Sequence, residues 1–251
     1  MAKSAFERKF RQDIKRVNKR LKAYIKDPQG EKNIHDVRVS IRRLNATFSL
    51  MPKNARSRYR GGIEKYREFL RANSNARDCD IIIGRLAVLG ASSSFDLRDK
   101  KRAELTRAII LARSLKKLPP RLAVAPDDNR LDKIADRILG RIKGTLPLVL
   151  SDDSRVEELH KVRRDLRKLR YILDVAPASG KKKYVKTLRK ATGKEIALEE
   201  LQDLQDLLGS IHDSDITIQY LKGRLEARRH LDREVSNRKQ LYQKFVKYMK
   251  R

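Results

Sequence analysis

Two short stretches of this chain repeat one pattern of imidazole and guanidinium groups at helical spacing. The first reads His35-x-x-Arg38-x-x-x-Arg42-Arg43-Leu44 and the second His160-x-x-Arg163-x-x-x-Arg167-Lys168-Leu169, closing on Pro52 and Pro177. At 100° per residue, His35, Arg38 and Arg42 share one side of a helix; His160, Arg163, Arg164, Arg167 and Tyr171 do the same in the second copy. Val37, Ile41, Leu44 and Phe48 lie opposite in the first stretch, and Val162, Leu166, Leu169 and Leu173 in the second. Like charges at i,i+4 oppose an isolated helix, so a cationic stripe built twice points to a polyanion that the charges meet. Arg presents a planar fork of donors suited to phosphate oxygens, and Lys supplies a compact point charge. A His beside them can donate a hydrogen bond. From His35 to Arg43 the stripe runs roughly 12 Å. Repetition at matched positions in a cationic face favours ligand contact by the two histidines. The alternative is a structural bond to a carboxylate on a neighbouring helix.

A second basic row follows each stripe. Lys183, Lys186, Lys190 and Lys194 fall on one side of a helix with Tyr184, Leu188 and Ala191 on another, and Arg56, Arg60 and Arg67 form the corresponding row in the first half. Such a row reads as a solvated face or, since short loops set successive helices side by side, as a second wall of one groove. Asp78 and Asp213, each with a further Asp two residues on, read as carboxylates near helix starts that complement the dipole or orient an Arg. No neighbouring Cys or second His completes a ligand set, so no metal is expected. No cofactor is expected either.

The elements that hold these stripes belong to a strongly basic chain of 251 residues with a formal net charge of +30. Both halves are basic, so the charge is built into the folded part and attracts nucleic acid, anionic membrane or polymeric phosphate. The single Cys79 rules out an intrachain disulfide. With no apolar leader and no apolar run of about 20 residues, the expectation is a soluble, cytoplasmic protein that does not enter membranes. Phosphate-loop, dinucleotide, zinc-protease and nucleophile-elbow motifs are missing from the sequence, and no nucleophile is paired with a base. Aromatic residues make up 6% of the chain with no Trp, which disfavours base stacking.

Apolar periodicity predicts helices at about Ala5–Lys26, Lys32–Leu50, Ala55–Ala72, Ala76–Leu89 and Leu97–Lys117, then about Asn129–Thr145, Ser154–Val175, Lys181–Leu208, Asp213–Ala227 and Leu231–Lys250. Strands are not expected. The repeat extends beyond the opening motif. Arg56 and Arg60 align with Lys186 and Lys190, and Asp78, Asp80 and Leu86 with Asp213, Asp215 and Leu221. The expectation is an all-α protein of two tandem, pseudo-symmetric antiparallel four-helix bundles, each with an additional helix. The first spans residues 1–120, the second 129–251, and residues 121–128 link them. The halves are expected to pair about a pseudo-twofold axis.

Both copies, with Arg77-Asp78-x-Asp80 and Leu201-Gln202-x-Leu204-x-x-x-Leu208-Gly209-x-x-x-Asp213, resemble the CHAD domain, the conserved-histidine α-helical domain. The resemblance covers both halves. It implies two helical bundles that bind inorganic polyphosphate through basic residues. By position those residues are His35, Arg38, Arg42, Arg43, His160, Arg163, Arg167, Lys168 and Arg170; the second row adds Arg56, Arg60, Lys183, Lys186 and Lys190. Asn45 and Ala46 stand opposite Arg170 and Tyr171, so the first stripe is shorter. The expected protein is a binder of inorganic polyphosphate and not an enzyme, located in the cytoplasm and at polyphosphate granules. Two alternatives stay open: non-specific binding of nucleic acid, and an enzyme acting on phosphate chains. Oligomeric state is left open.

Overall fold

The computed structural model describes residues 3–90, 95–115, 128–174, 176, 178–197, 200–224 and 227–250. Among these residues the chain is all α, with no strand. The helices are α1 (Lys3–Lys26), α2 (Glu31–Ser49), α3 (Lys53–Leu89), α4 (Phe95–Ser114), α5 (Asp128–Ser151), α6 (Val156–Leu173), α7 (Ala178–Thr192), α8 (Glu200–Leu221) and α9 (Arg228–Lys250). The chain forms two compact units. One comprises Met1–Arg77, Asp96–Lys133 and Asp174–Pro177; the other comprises Asp78–Phe95, Ile134–Leu173 and Ala178–Arg251. The linker expected at 121–128 lies outside the described residues except for Asp128, which opens α5.

In the first unit α1 packs along α2. Val37, Ile41, Leu44 and Phe48 are buried, as the helical wheel requires. Aromatic residues of α1 reach α3: Tyr24 meets Phe69 edge to face with ring centroids 5.1 Å apart. Burial raises the Tyr24 hydroxyl to about 12 against a smaller lowering by Asn73. A carboxylate is buried in the same layer. Asp13 accepts a 2.7 Å hydrogen bond from Thr47 Oγ1, and Lys9 and Arg16 approach its other oxygen at 3.7 and 3.4 Å. At the end of α2, Arg130 Nε donates to the Ser49 carbonyl at 2.7 Å, where a cation satisfies an acceptor that the helix leaves open.

In the second unit α6 packs against α7 and α8, and α8 against α9. Val162, Leu166, Leu169 and Leu173 are buried, again as the wheel requires. Asp152 Oδ1 accepts from both the backbone N–H and the hydroxyl of Ser154 (2.9 and 2.7 Å), forming the turn into α6. Glu157 and Glu158 in the first turn then suit its dipole. Arg141 grips Asp165 with two hydrogen bonds of 2.8 and 2.6 Å, tying α5 to α6. Tyr242 of α9 donates to the Val149 carbonyl near the end of α5 at 2.7 Å.

Several boundaries differ from the expected ones, for physical reasons. Residues 73–75, read as a break, lie within one 37-residue helix, α3, because Asn73 is buried and Ser74 takes a cross-helix partner. α5 continues through Pro147 to Ser151, where an end at Thr145 was expected. The segment expected as one helix over Lys181–Leu208 divides at Gly193, whose φ of 74° ends α7. Conversely, the break expected between Leu208 and Asp213 is absent, and α8 runs through Gly209.

Candidate functional site

The apolar face of α6 is fixed in the core of the second unit by Val162, Leu166, Leu169 and Leu173. Arg163, Arg167 and Arg170 are half-buried and Lys168 is exposed. The Arg170 guanidinium lies 5.2 Å from the centre of the Tyr171 ring. Tyr171 itself is buried, so the cationic face ends before it. On α7, Lys183, Lys186 and Lys190 are all exposed, and Tyr184 and Leu188 are buried on the opposite side. Because α7 packs on α6, both basic rows belong to one unit. Lys194 does not extend the row: it lies beyond the end of α7, its Nζ donates to the Tyr248 carbonyl at 2.6 Å, and it stands 3.7 Å from the centre of that residue's ring.

His160 is held from inside the protein. Its Nε2 is 3.0 Å from Asp215 Oδ2 and 3.1 Å from Nδ1 of His212. Asp215 Oδ1 accepts a 2.8 Å hydrogen bond from Arg238 Nε of α9, and Arg238 also approaches Asp153 at 3.8 Å. Burial alone would raise the Asp215 carboxyl. The hydrogen bonds from His160 and Arg238, with the Arg238 charge, outweigh it and hold the group below the ordinary carboxylate range. His212 is lowered to about 4, first by burial, then by the charges of Arg163, His160 and Arg167, against which Asp215 pulls upward. The α6–α8 surface therefore gathers two imidazoles and two guanidinium groups. A structural partner for His160, the alternative considered from sequence, is present.

The helix positions expected for the two Asp pairs need correction. Asp213 and Asp215 lie in the interior of α8, and Asp78 and Asp80 in the interior of α3, so none of them caps a helix. The carboxylate that holds a guanidinium is Asp215, the second of its pair, and the cation is Arg238 of α9 and not an Arg of the stripe. Among the described residues no group of three or more His, Cys, Asp and Glu side chains could hold a metal ion. His212 and Arg238 were not singled out as site residues. His212 stands three residues before Asp215, one helical turn away on the same face, which is the signal that could have shown it. Arg238 has no such local signature.

The stripe in the first unit is differently exposed. His35 is open to solvent, Arg42 and Arg43 are half-buried, and Arg38 is only 8% exposed. Arg38 donates to Ser74 Oγ of α3 at 3.4 Å, and Arg43 Nε lies 3.9 Å from Asp174. In the row on α3, Arg56 is half-buried and Arg60 exposed, and Arg67 pairs with Glu64. No carboxylate pairs with Arg42, Arg60, Lys186 or Lys190 among the described residues. No described helix is long and apolar enough to cross a membrane.

A family model described as the CHAD domain matches residues 8–222. The crystal structure of the CHAD domain from the plant Ricinus communis is similar over 98% of this chain and 84% of its own, with a TM-score of 0.50 and 16% sequence identity. No curated protein matches significantly.

Proposed function

Because this chain belongs to the CHAD domain family, associated in general with polyphosphate binding, we propose that it binds inorganic polyphosphate on its basic helix faces. The observation that carries this reading is the pair of adjoining rows in the second unit: Arg163, Arg167 and Lys168 on α6, with exposed Lys183, Lys186 and Lys190 on α7. The cations are anchored on buried apolar faces, so binding a phosphate chain requires little ordering of the helices. Charge pairing and release of the counterions condensed on the chain drive the association. In the first unit Arg42, Arg43, Arg60 and solvent-facing His35 supply the contacts, with Arg38 set beneath them. On this reading the protein holds the polyanion and performs no covalent chemistry on it. On the same reading it acts in the cytoplasm, in association with polyphosphate granules.

A competition titration tests the proposal. Long-chain polyphosphate should displace duplex DNA from the full-length protein at equal total phosphate and fixed moderate salt, because a flexible chain follows a narrow basic row that a rigid duplex cannot enter. Equal or better competition by DNA would transfer the function to nucleic acid. Release of orthophosphate from the bound chain would make the protein an enzyme.

A further inference from the structure

Two imidazoles face each other where α6 packs on α8. His160 and His212 meet edge to face, with ring centroids 4.5 Å apart and planes at 86°. The ionised Asp215 carboxylate can only accept, so His160 Nε2 carries a hydrogen directed at Asp215 Oδ2. That hydrogen also faces Nδ1 of His212, which meets it as a lone pair. His212 is then a neutral ring with its own hydrogen on Nε2. From α6 the groups facing it are His160, Arg163 and Arg167, and from its own helix Asp215. From α9, Arg238 reaches this cluster and is held by Asp215 and Asp153.

We propose that the His160–His212 pair makes this basic face a proton-coupled polyphosphate site: phosphate bound beside Arg163 and Arg167 draws a proton from solvent onto His212, and acid thereby tightens binding. The inference rests on the polyphosphate reading and adds its regulation.

A proton placed on His212 Nδ1 meets the hydrogen of His160 Nε2 across 3.1 Å. The contact survives only if His160 gives up that hydrogen, which would set a bare ring nitrogen against the Asp215 carboxylate. Otherwise His212 must turn away from His160. In the free protein burial, and then the charges of Arg163, His160 and Arg167, oppose either outcome, and His212 is lowered to about 4 from an ordinary value of 6.5. With the folded value depressed, the neutral ring's contribution to stability is complete above pH 6.5 and is lost as pH falls through about 4. A phosphate chain neutralises Arg163 and Arg167 and offers oxygens to the imidazolium, so the same proton is taken up more readily. Linkage is reciprocal: if bound phosphate raises the proton affinity of His212, protonation raises the affinity for phosphate by the same factor. The only covalent change is the new N–H bond.

Calorimetry of the full chain with long-chain polyphosphate tests this at about pH 5.5 and about pH 8 and fixed salt, in two buffers of different ionisation enthalpy. Interior phosphates keep their charge across that range. The wild type should bind at least about threefold more tightly at the lower pH, a difference worth less than one pKa unit. It should take up protons there, and His212→Gln should take up measurably fewer. Binding without proton uptake overturns the coupling and leaves the polyphosphate reading standing. Uptake as large in His212→Gln as in the wild type places the proton elsewhere and also overturns it. Absence of binding at both pH values removes the polyphosphate reading and this inference with it. If the variant does not fold, nitrogen NMR of the unaltered protein decides: His212 remaining unprotonated at about pH 5.5 when saturated with polyphosphate overturns the coupling.

Discussion

Asp215 is the residue on which the polar layer of the second unit converges. It receives His160 from α6 and Arg238 from α9, and both donors are themselves largely shielded from solvent. Asp215→Ala leaves the longer approach to Asp153 as the carboxylate contact of the Arg238 guanidinium among the described residues and frees the His160 ring to rotate. Loss of a buried, charge-assisted pair of this kind should cost about 2–3 kcal/mol, read as a lower urea midpoint at neutral pH. Because the folded carboxyl titrates below its ordinary value, that difference should be present at neutral pH and fade as pH falls through the folded value. The cations at matched positions of the two stripes behave differently. Arg42→Ala with Arg167→Ala should keep the helical circular dichroism and weaken polyphosphate binding. The plot of log affinity against log salt should also become shallower, by about 0.7 for each phosphate no longer neutralised if the chain behaves like a single strand. An unchanged slope would place the binding surface elsewhere.

The two glycines of the second basic region show what the sequence could and could not specify at the level of elements. Gly193 and Gly209 are the same residue type, one between Thr192 and Lys194 and the other between Leu208 and Ser210, and the expected helices ran through the first and stopped at the second. The structure does the reverse. Gly193 adopts a positive φ and its N–H closes on the Arg189 carbonyl at 2.8 Å, whereas Gly209 is helical and Leu204, Leu208 and Ile211 around it are buried. The apolar period that crosses Gly209 was the better guide than the glycine itself. A Cβ at Gly209 would meet nothing within 4 Å, so Gly209→Ala should stabilise the protein by about 0.5–1 kcal/mol, measured by chemical denaturation. The same lesson applies to residues 73–75, where three small polar residues in succession resemble a loop. Their place inside α3 depends on burial of Asn73 and on Arg38 reaching Ser74 from another helix. The apolar faces of α2 and α6 were legible because period and burial agree along a single helix, whereas Arg38 and Tyr171, placed on the cationic sides, are buried. The His160–His212–Asp215–Arg238 cluster was not legible, since it depends on three helices brought together by tertiary packing.

At the scale of the whole molecule, a net charge of +30 means that the folded chain repels itself, and any bound polyanion relieves that repulsion as well as occupying a site. Its two compact units also fail to coincide with its two sequence repeats. α3 carries the second basic row of the first repeat on its early turns, yet from Asp78 onward it belongs to the other unit. There Arg85 bonds the buried Glu234 of α9 and the Ser210 carbonyl of α8. A fragment of residues 129–251, a whole repeat by sequence, would therefore leave the buried Glu234 without its guanidinium and the Ser210 carbonyl without the Arg85 donor. It should unfold with a broad, weakly cooperative transition, and a peptide spanning residues 78–95 added in trans should sharpen that transition. A sharp transition of the fragment alone would show the repeat to be autonomous. The consequence of α3 is one of heredity: if the fragment fails to fold, a repeat read from the sequence is not a unit that a gene could delete, copy or transplant by itself, because the cut at residue 129 removes the stretch from Asp78 that belongs to the second unit.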